Sequence, residues 1–177
     1  MLTSIRNFCR ETRGLAAVEF GLIAPLLVTI LLGSVETSNA VACDQKVQSM
    51  ASATSDLVAQ ATSVSTSDVN DIFSAVNTVL YPYATSNVTI VVTSIVNDPN
   101  HPGNYIVAWS QAQNGTPHAV GATIAVPTGL VTTGGSVIYS EVTYAYSSPV
   151  SGVITGVIHM SSNFYSKPRA SAQVVHT

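Results

Sequence analysis

Few side chains here are equipped for chemistry, and the most unusual is a carboxylate in apolar surroundings. Residues 13–27 read RGLAAVEFGLIAPLL and set Glu19 inside an apolar run that continues to Gly33. On insertion scales a charge at the centre of a bilayer costs about 3 kcal/mol, so such a group sits near an interface or answers an opposite charge. In the first case Glu19, at the second turn of its helix, lies beside the cytoplasmic headgroups, favoured by the helix dipole and by Arg13. In the second case the opposite charge has to be made. A cut after Gly14 would leave a protonated amine on Leu15, one helical turn from Glu19. Its own Glu19 or a neighbour's could answer that amine. Pairing across subunits, under low dielectric, would fix the axial register of one helix against another.

The other ionisable residues form no comparable arrangement. His101, His118, His159 and His176 lie far apart, with no His or Cys neighbour at metal-ligand spacing. Serine is abundant, but there is no G-x-S-x-G and no phosphate-cradling glycine loop. Beyond the leader and outside the predicted helices, the carboxylates are Asp98 and Glu141. Glu141, within a predicted strand, reads as an outward-facing residue or a partner for Lys167 or Arg169. The expectation is a protein that is not an enzyme, with no metal and no cofactor.

The composition says where such a chain lives. Charged residues are 8% of the 177 and hydrophobic ones 46%, against roughly a quarter charged in an ordinary soluble protein. That balance suits a membrane-attached or surface protein. A net charge of -3 gives no electrostatic case for nucleic acid. Arg6, Arg10 and Arg13 precede the apolar run, whereas Glu36, Asp44 and Lys46 follow it. The positive-inside bias therefore keeps the N-terminus cytoplasmic and places the rest outside the inner membrane. Leu15 to Val35 spans 21 residues with one charge, and about 20 suffice to cross the hydrocarbon core. A signal peptide is the competing reading, since Ala40-Val41-Ala42 has the A-x-A form and Cys43 follows as at a lipoprotein junction. Both lie well beyond the apolar block, however, and a signal centre of about 7–15 residues rarely carries a carboxylate. Cys9 and Cys43 would face opposite sides of the membrane, which rules out a disulfide between them within one chain. Cys43 is then a small packing residue or a partner for another chain.

The elements follow from periodicity. Val47, Met50, Thr54, Leu57, Val58 and Ala61 recur at helical spacing, and no Gly or Pro occurs between Ser34 and Leu80, so one helix is predicted from about Leu15 to about Ala61. The polar stretch 62–67 breaks it. Ser67 is the predicted N-cap of a second helix, with Asp68 and Asp71 in its first turn and Val69, Ile72, Phe73, Val76, Val79 and Leu80 on its apolar face. Pro82 comes just past its end. Beyond residue 86, strands are predicted at 87–96 and 105–111, forming a hairpin across a long loop of turn formers, then at 137–146 and 169–176. In the third strand Ile138, Val142, Tyr144 and Tyr146 share a face interrupted by Ser140. Residues 151–165 are ambiguous between strand and helix.

The basic leader ending in Gly14, followed by Leu15-Ala16-Ala17-Val18-Glu19-Phe20 and an apolar segment with Pro25, resembles the G/xxxxE[FY] processing signal of type IV pilin-like proteins. The fuller string RGLAAVEFGLIAPLLVTILLGSVE is similar to the TadE/TadG family of the tight-adherence (Flp) pilus machinery. Asp44, Asp56 and Leu57-Val58-Ala59-Gln60 extend the likeness, and the segments around 136–146 and 164–169 resemble that family's less specific outer region. The resemblance implies a minor pilin or pseudopilin acting as an assembly factor. Carried over by position, Gly14 precedes the cut, Leu15 becomes the new N-terminus, Glu19 is the assembly carboxylate beside Phe20, and Pro25 marks a helix kink. The implied partners are other pilin-like subunits, assembly proteins of the same system, a prepilin peptidase if the leader is processed, and the membrane. Family members differ in whether the leader is cut. The expected fold class is α+β. A single transmembrane helix is extended into a long pilin-like helix and packed with a small antiparallel sheet. The divisions are 1–14 as basic leader, 15–35 as span, 36–62 as helix extension and 63–177 as outer domain. A membrane-tethered binding or adhesin module is the rival reading.

Overall fold

The computed structural model describes residues 12–98, 100–101, 103–127, 129–131, 134–148 and 156–177. Helix α1 runs from Thr12 to Gln60, close to the predicted limits. It continues through Pro25, which lacks the N–H that would bond the Gly21 carbonyl and is where a bend is expected. Hydroxyl groups along the exit from the apolar run bond back to the helix. Thr37 Oγ1 donates to Gly33 O at 2.8 Å and Ser38 Oγ to Ser34 O at 2.9 Å, so these side chains need no water to be satisfied.

The chain divides into two compact units, with α1 passing from one to the other at Ala40 and Val41. In the first unit most side chains of α1 point away from any protein, including Leu22 at 80% and Phe20 at 71% exposed. Glu36 is an exception and is buried.

The second unit comprises residues 41–147 and 157–177. Here α1 buries Cys43, Val47, Met50, Ala51, Thr54, Ser55, Val58 and Ala59, a stripe at i, i+4, i+7, i+8 spacing that repeats along its length. After α1 come β1 (Ser63–Val64), helix α2 (Thr66–Asn77), two short 3-10 turns, then β2 (Val88–Asn97), β3 (Tyr105–Gln113), β4 (Ser136–Ser147), β5 (Val157–Ser166) and β6 (Val175–His176). Strands β2 to β5 form an antiparallel sheet in the order β3-β2-β4-β5.

One face of this sheet carries Ile90, Val92, Ile138, Val142, Tyr144 and Tyr146, all buried, and Ser140 sits buried among them. The α1 stripe belongs to this side, where Ser55 Oγ meets Ser166 Oγ at 2.9 Å. The other face holds a second cluster of Ile95, Val137, Tyr139 and Val131, against which Ile124, Val126 and Leu130 pack. Those last residues come from the segment after β3, which turns at Asn114 in the left-handed region (φ 54°) and at Gly115. A Cβ on Gly115 would lie 2.5 Å from Thr89 Cγ2, so a side chain there would force Thr89 on β2 to shift. The segment then bonds along β3 through Val107 N to Ala122 O at 3.0 Å and Ile124 N to Tyr105 O at 3.0 Å.

Two local expectations need correction and one open segment is resolved in part. The N-cap of α2 is Ser65, not Ser67. Ser65 is extended, its Oγ accepts from Asp68 N at 3.2 Å, and Asp68 Oδ2 accepts from Ser65 N at 2.8 Å, a reciprocal capping box that Ser67 cannot build with Asn70. The last strand is confined to Val175–His176, and it pairs in parallel with Ser63–Val64, inside the polar stretch expected only to break the helix. Residues 169–172 are instead held by contacts elsewhere, Arg169 N donating to Ala59 O at 2.9 Å and Ser136 N to Ala172 O at 3.1 Å. Where the 151–165 segment was open between strand and helix, Val157 onward is strand β5; residues 151–155 lie outside the described residues.

Candidate functional site: the exposed N-terminal helix and the domain it carries

Gly14, Leu15, Glu19, Phe20 and Pro25 all lie on α1 within the first unit and are solvent-exposed in the isolated chain. Leu15 and Glu19 are separated by four residues, one turn, and so share a face. Leu22 and Ile23 continue that face, so the carboxylate interrupts an apolar stripe. A Cβ built on Gly14 meets nothing within 4 Å. Glycine inside a helix costs roughly 0.5–1 kcal/mol relative to alanine, and no close approach in this chain requires it at position 14. The same open space surrounds Gly21 and Gly33 further along α1.

Cys43 is fully buried in the outer unit, and burial, reinforced by Asp44 and opposed by Lys46, pushes its thiol up to about 11. A protonated thiol packed into a helix stripe is a small core residue, so of the two roles open from the sequence the packing one is realised within the chain. Cys9 lies outside the described residues.

Glu141 on the sheet pairs with a histidine that the sequence did not suggest. Glu141 Oε2 lies 2.6 Å from His118 Nε2, and Tyr139 OH donates to Glu141 Oε1 at 3.1 Å. Tyr139 stacks on Tyr165 with ring centroids 4.6 Å apart. Burial, and then the Glu141 charge, raise the Tyr139 phenol well above its ordinary range. His118 N in turn donates to Ser110 Oγ at 3.1 Å. This network clasps the segment after β3 onto the sheet; Ser110 Oγ contacts the His118 backbone rather than its ring, so the geometry is not that of a nucleophile and its base. Arg169, proposed above for Glu141, pairs with Asp56 on α1 instead. The sequence signal for the His118 pairing was absent, because it depends on where a 23-residue separation brings the chain back. Among the described residues no group of three or more His, Cys, Asp or Glu side chains converges on a metal-sized site.

The likeness to known proteins falls on α1. Residues 14–56 match the family model described as TadE-like protein. This chain carries a TadE-like segment. The match begins at the glycine whose presence the fold leaves unexplained and ends at Asp56, the residue that pairs with Arg169. It covers about a quarter of the chain, so the four-stranded sheet lies beyond it. No curated protein matches the chain, and no solved structure does. The TadE-like segment thus joins the exposed apolar helix to the buried stripe that docks the outer unit, and α1 is long and apolar enough to anchor in a membrane.

Proposed function

We propose that this chain is a minor pilin or pseudopilin, a structural assembly factor of a tight-adherence (Flp) pilus and not an enzyme. The N-terminus faces the cytoplasm and the outer unit lies beyond the inner membrane, an orientation supported by the arginines ahead of the span. A prepilin peptidase cuts after Gly14, and the Leu15 amine so formed is answered by Glu19 of a neighbouring pilin-like subunit, setting the register of one helix against the next. The observation that carries this reading is the coincidence at Gly14. A TadE-like segment begins there, and the helix around it presents its apolar side chains and Glu19 outward.

The direct test is the intact mass of the protein isolated from membranes of its own host. A chain beginning at Leu15 supports the proposal. One beginning at Met1 leaves a simple anchor, and one beginning at Cys43 makes Ala40-Val41-Ala42 a cleavage site after all.

A further inference from the structure

A cleft in the outer unit has a chemical character that neither the core nor the assembly helix accounts for. It has a volume of about 610 Å³ and is lined by Ser74, Asn77, Thr78, Tyr81, Tyr83 and Thr85, where α2 ends and the chain turns toward β2. Tyr81 is 78% exposed, more than any other large apolar side chain from Val41 onward among the described residues. A ring of that size left in water gains nothing for the fold. Tyr83 is fixed beside it. Its ring meets Tyr146 edge to face at 5.9 Å and its N–H bonds Leu80 O at 2.9 Å. The cleft therefore has one exposed aromatic wall and one packed against the sheet.

Five of the six lining residues carry a hydroxyl, and Asn77 adds an amide. Ser74 Oγ donates its proton to Asn70 O at 2.9 Å and Thr78 Oγ1 to Ala75 O at 2.6 Å, so both oxygens keep lone pairs for an incoming donor. Beneath them Asn77 Nδ2 donates to Gln113 Oε1 at 3.1 Å, while Asn77 Oδ1 is buried and accepts no hydrogen bond among the described residues. None of the six lining residues is charged. An ionic ligand would find no counter-charge among these lining residues, and a wholly apolar one would strand their polar groups. The complement is a neutral molecule with an apolar face for the rings and several O–H donors at its rim. A pyranose ring has both, its axial C–H bonds on one face and hydroxyls around the edge. We propose that the Tyr81–Tyr83 cleft binds a neutral sugar ring of an oligosaccharide.

The test uses the full chain in lipid nanodiscs, because glycoside detergents carry a competing sugar. Cellotetraose and maltotetraose are titrated by calorimetry and by saturation-transfer NMR, with tetragalacturonate as a charged control. At least one neutral sugar should bind saturably, with a Kd on the order of 1 mM as suits a small open site, and its ring C–H protons should receive the strongest saturation. Tyr81→Ala should weaken binding at least tenfold with the thermal transition unchanged, and Tyr81→Trp should retain it. Absence of saturable binding by both neutral sugars, equal binding by Tyr81→Ala, or tighter binding of tetragalacturonate overturns the proposal. So does loss of pilus assembly in Tyr81→Ala without any sugar binding by the parent chain, which would make the cleft a contact for another protein.

Discussion

Glu19 and Gly14 are residues whose presence the isolated chain does not explain, and for opposite reasons. Glu19 adds a charge where apolar side chains surround it in sequence, and Gly14 removes a side chain where there is open space. Replacing Glu19 with Val should leave insertion and abundance unchanged or improved, because an unpaired carboxylate in lipid contributes only a desolvation penalty. Assembly should nonetheless fail, since the Leu15 amine loses its partner. Gly14→Ala has room for its methyl group, so the helix should be as stable or slightly more so, while the uncut chain accumulates and pili are lost. Mass spectrometry and pilus counts on the two variants distinguish these outcomes. Normal pilus numbers in both would leave the carboxylate without a role in assembly. Cys43 gives a second prediction at this scale. In a Cys9→Ser background its thiol, protonated and buried, should resist maleimide in the folded protein and react on unfolding; rapid labelling of the folded chain would contradict its place in the core.

The elements were legible wherever one residue type dictates local geometry, and less so where distant segments meet. The α1 stripe was half visible. Val47, Met50, Thr54 and Val58 are buried as their spacing requires, whereas Leu57 is exposed and Cys43, Ala51, Ser55 and Ala59, small enough to pass unnoticed in a pattern of large apolar residues, complete the buried face. Met50→Ala should cost about 2–5 kcal/mol in denaturant unfolding of the outer unit. The cap of α2 was readable but misassigned, because Ser65 and Ser67 are both cap residues and only the first has an acid three positions on. Ser65→Ala should destabilise by about 1 kcal/mol. The hydrogen bonds from Ser65, backbone first, hold the Asp68 carboxyl below its ordinary value. A depressed folded-state pKa means the contribution is complete above the ordinary carboxylate range and is lost as pH falls through the lowered value. The stability difference between parent and Asp68→Asn should therefore be constant near neutrality and shrink in acid, as thermal melts over a pH series would show. A difference that grows in acid would contradict the capping box. The β1–β6 pair could not be read at all, since two residues carry no periodicity and the pairing joins distant segments, Val175 N donating to Thr62 O at 3.2 Å and Thr177 N to Val64 O at 3.0 Å beside the bond from Trp109 Nε1 to Val174 O at 2.8 Å.

At the scale of the whole molecule, α1 belongs to two environments, and a single substitution of its first half separates the assembly reading from the adhesin one. Residues 41–60 are part of the outer unit's core, so cutting the chain after the helix would expose Cys43, Val47, Met50 and Val58 and test misfolding rather than function. Exchanging residues 14–35 for an unrelated apolar span of equal length avoids this, because no buried residue of the outer unit is altered. The exchanged chain should reach the membrane in the same orientation, with a reporter after Thr177 active only outside the cytoplasm, since Arg6, Arg10 and Arg13 remain. Its outer unit should keep the parent's near-ultraviolet dichroism, which reports Trp109 and the stacked Tyr139 and Tyr165. If the TadE-like segment acts through Glu19 and the glycine before the cut, this folded and correctly oriented protein assembles no pili. If the outer unit is an adhesin that only needs tethering, the same protein adheres as the parent does, and retained adherence with the foreign span would refute the assembly mechanism while leaving the fold of the outer unit untouched.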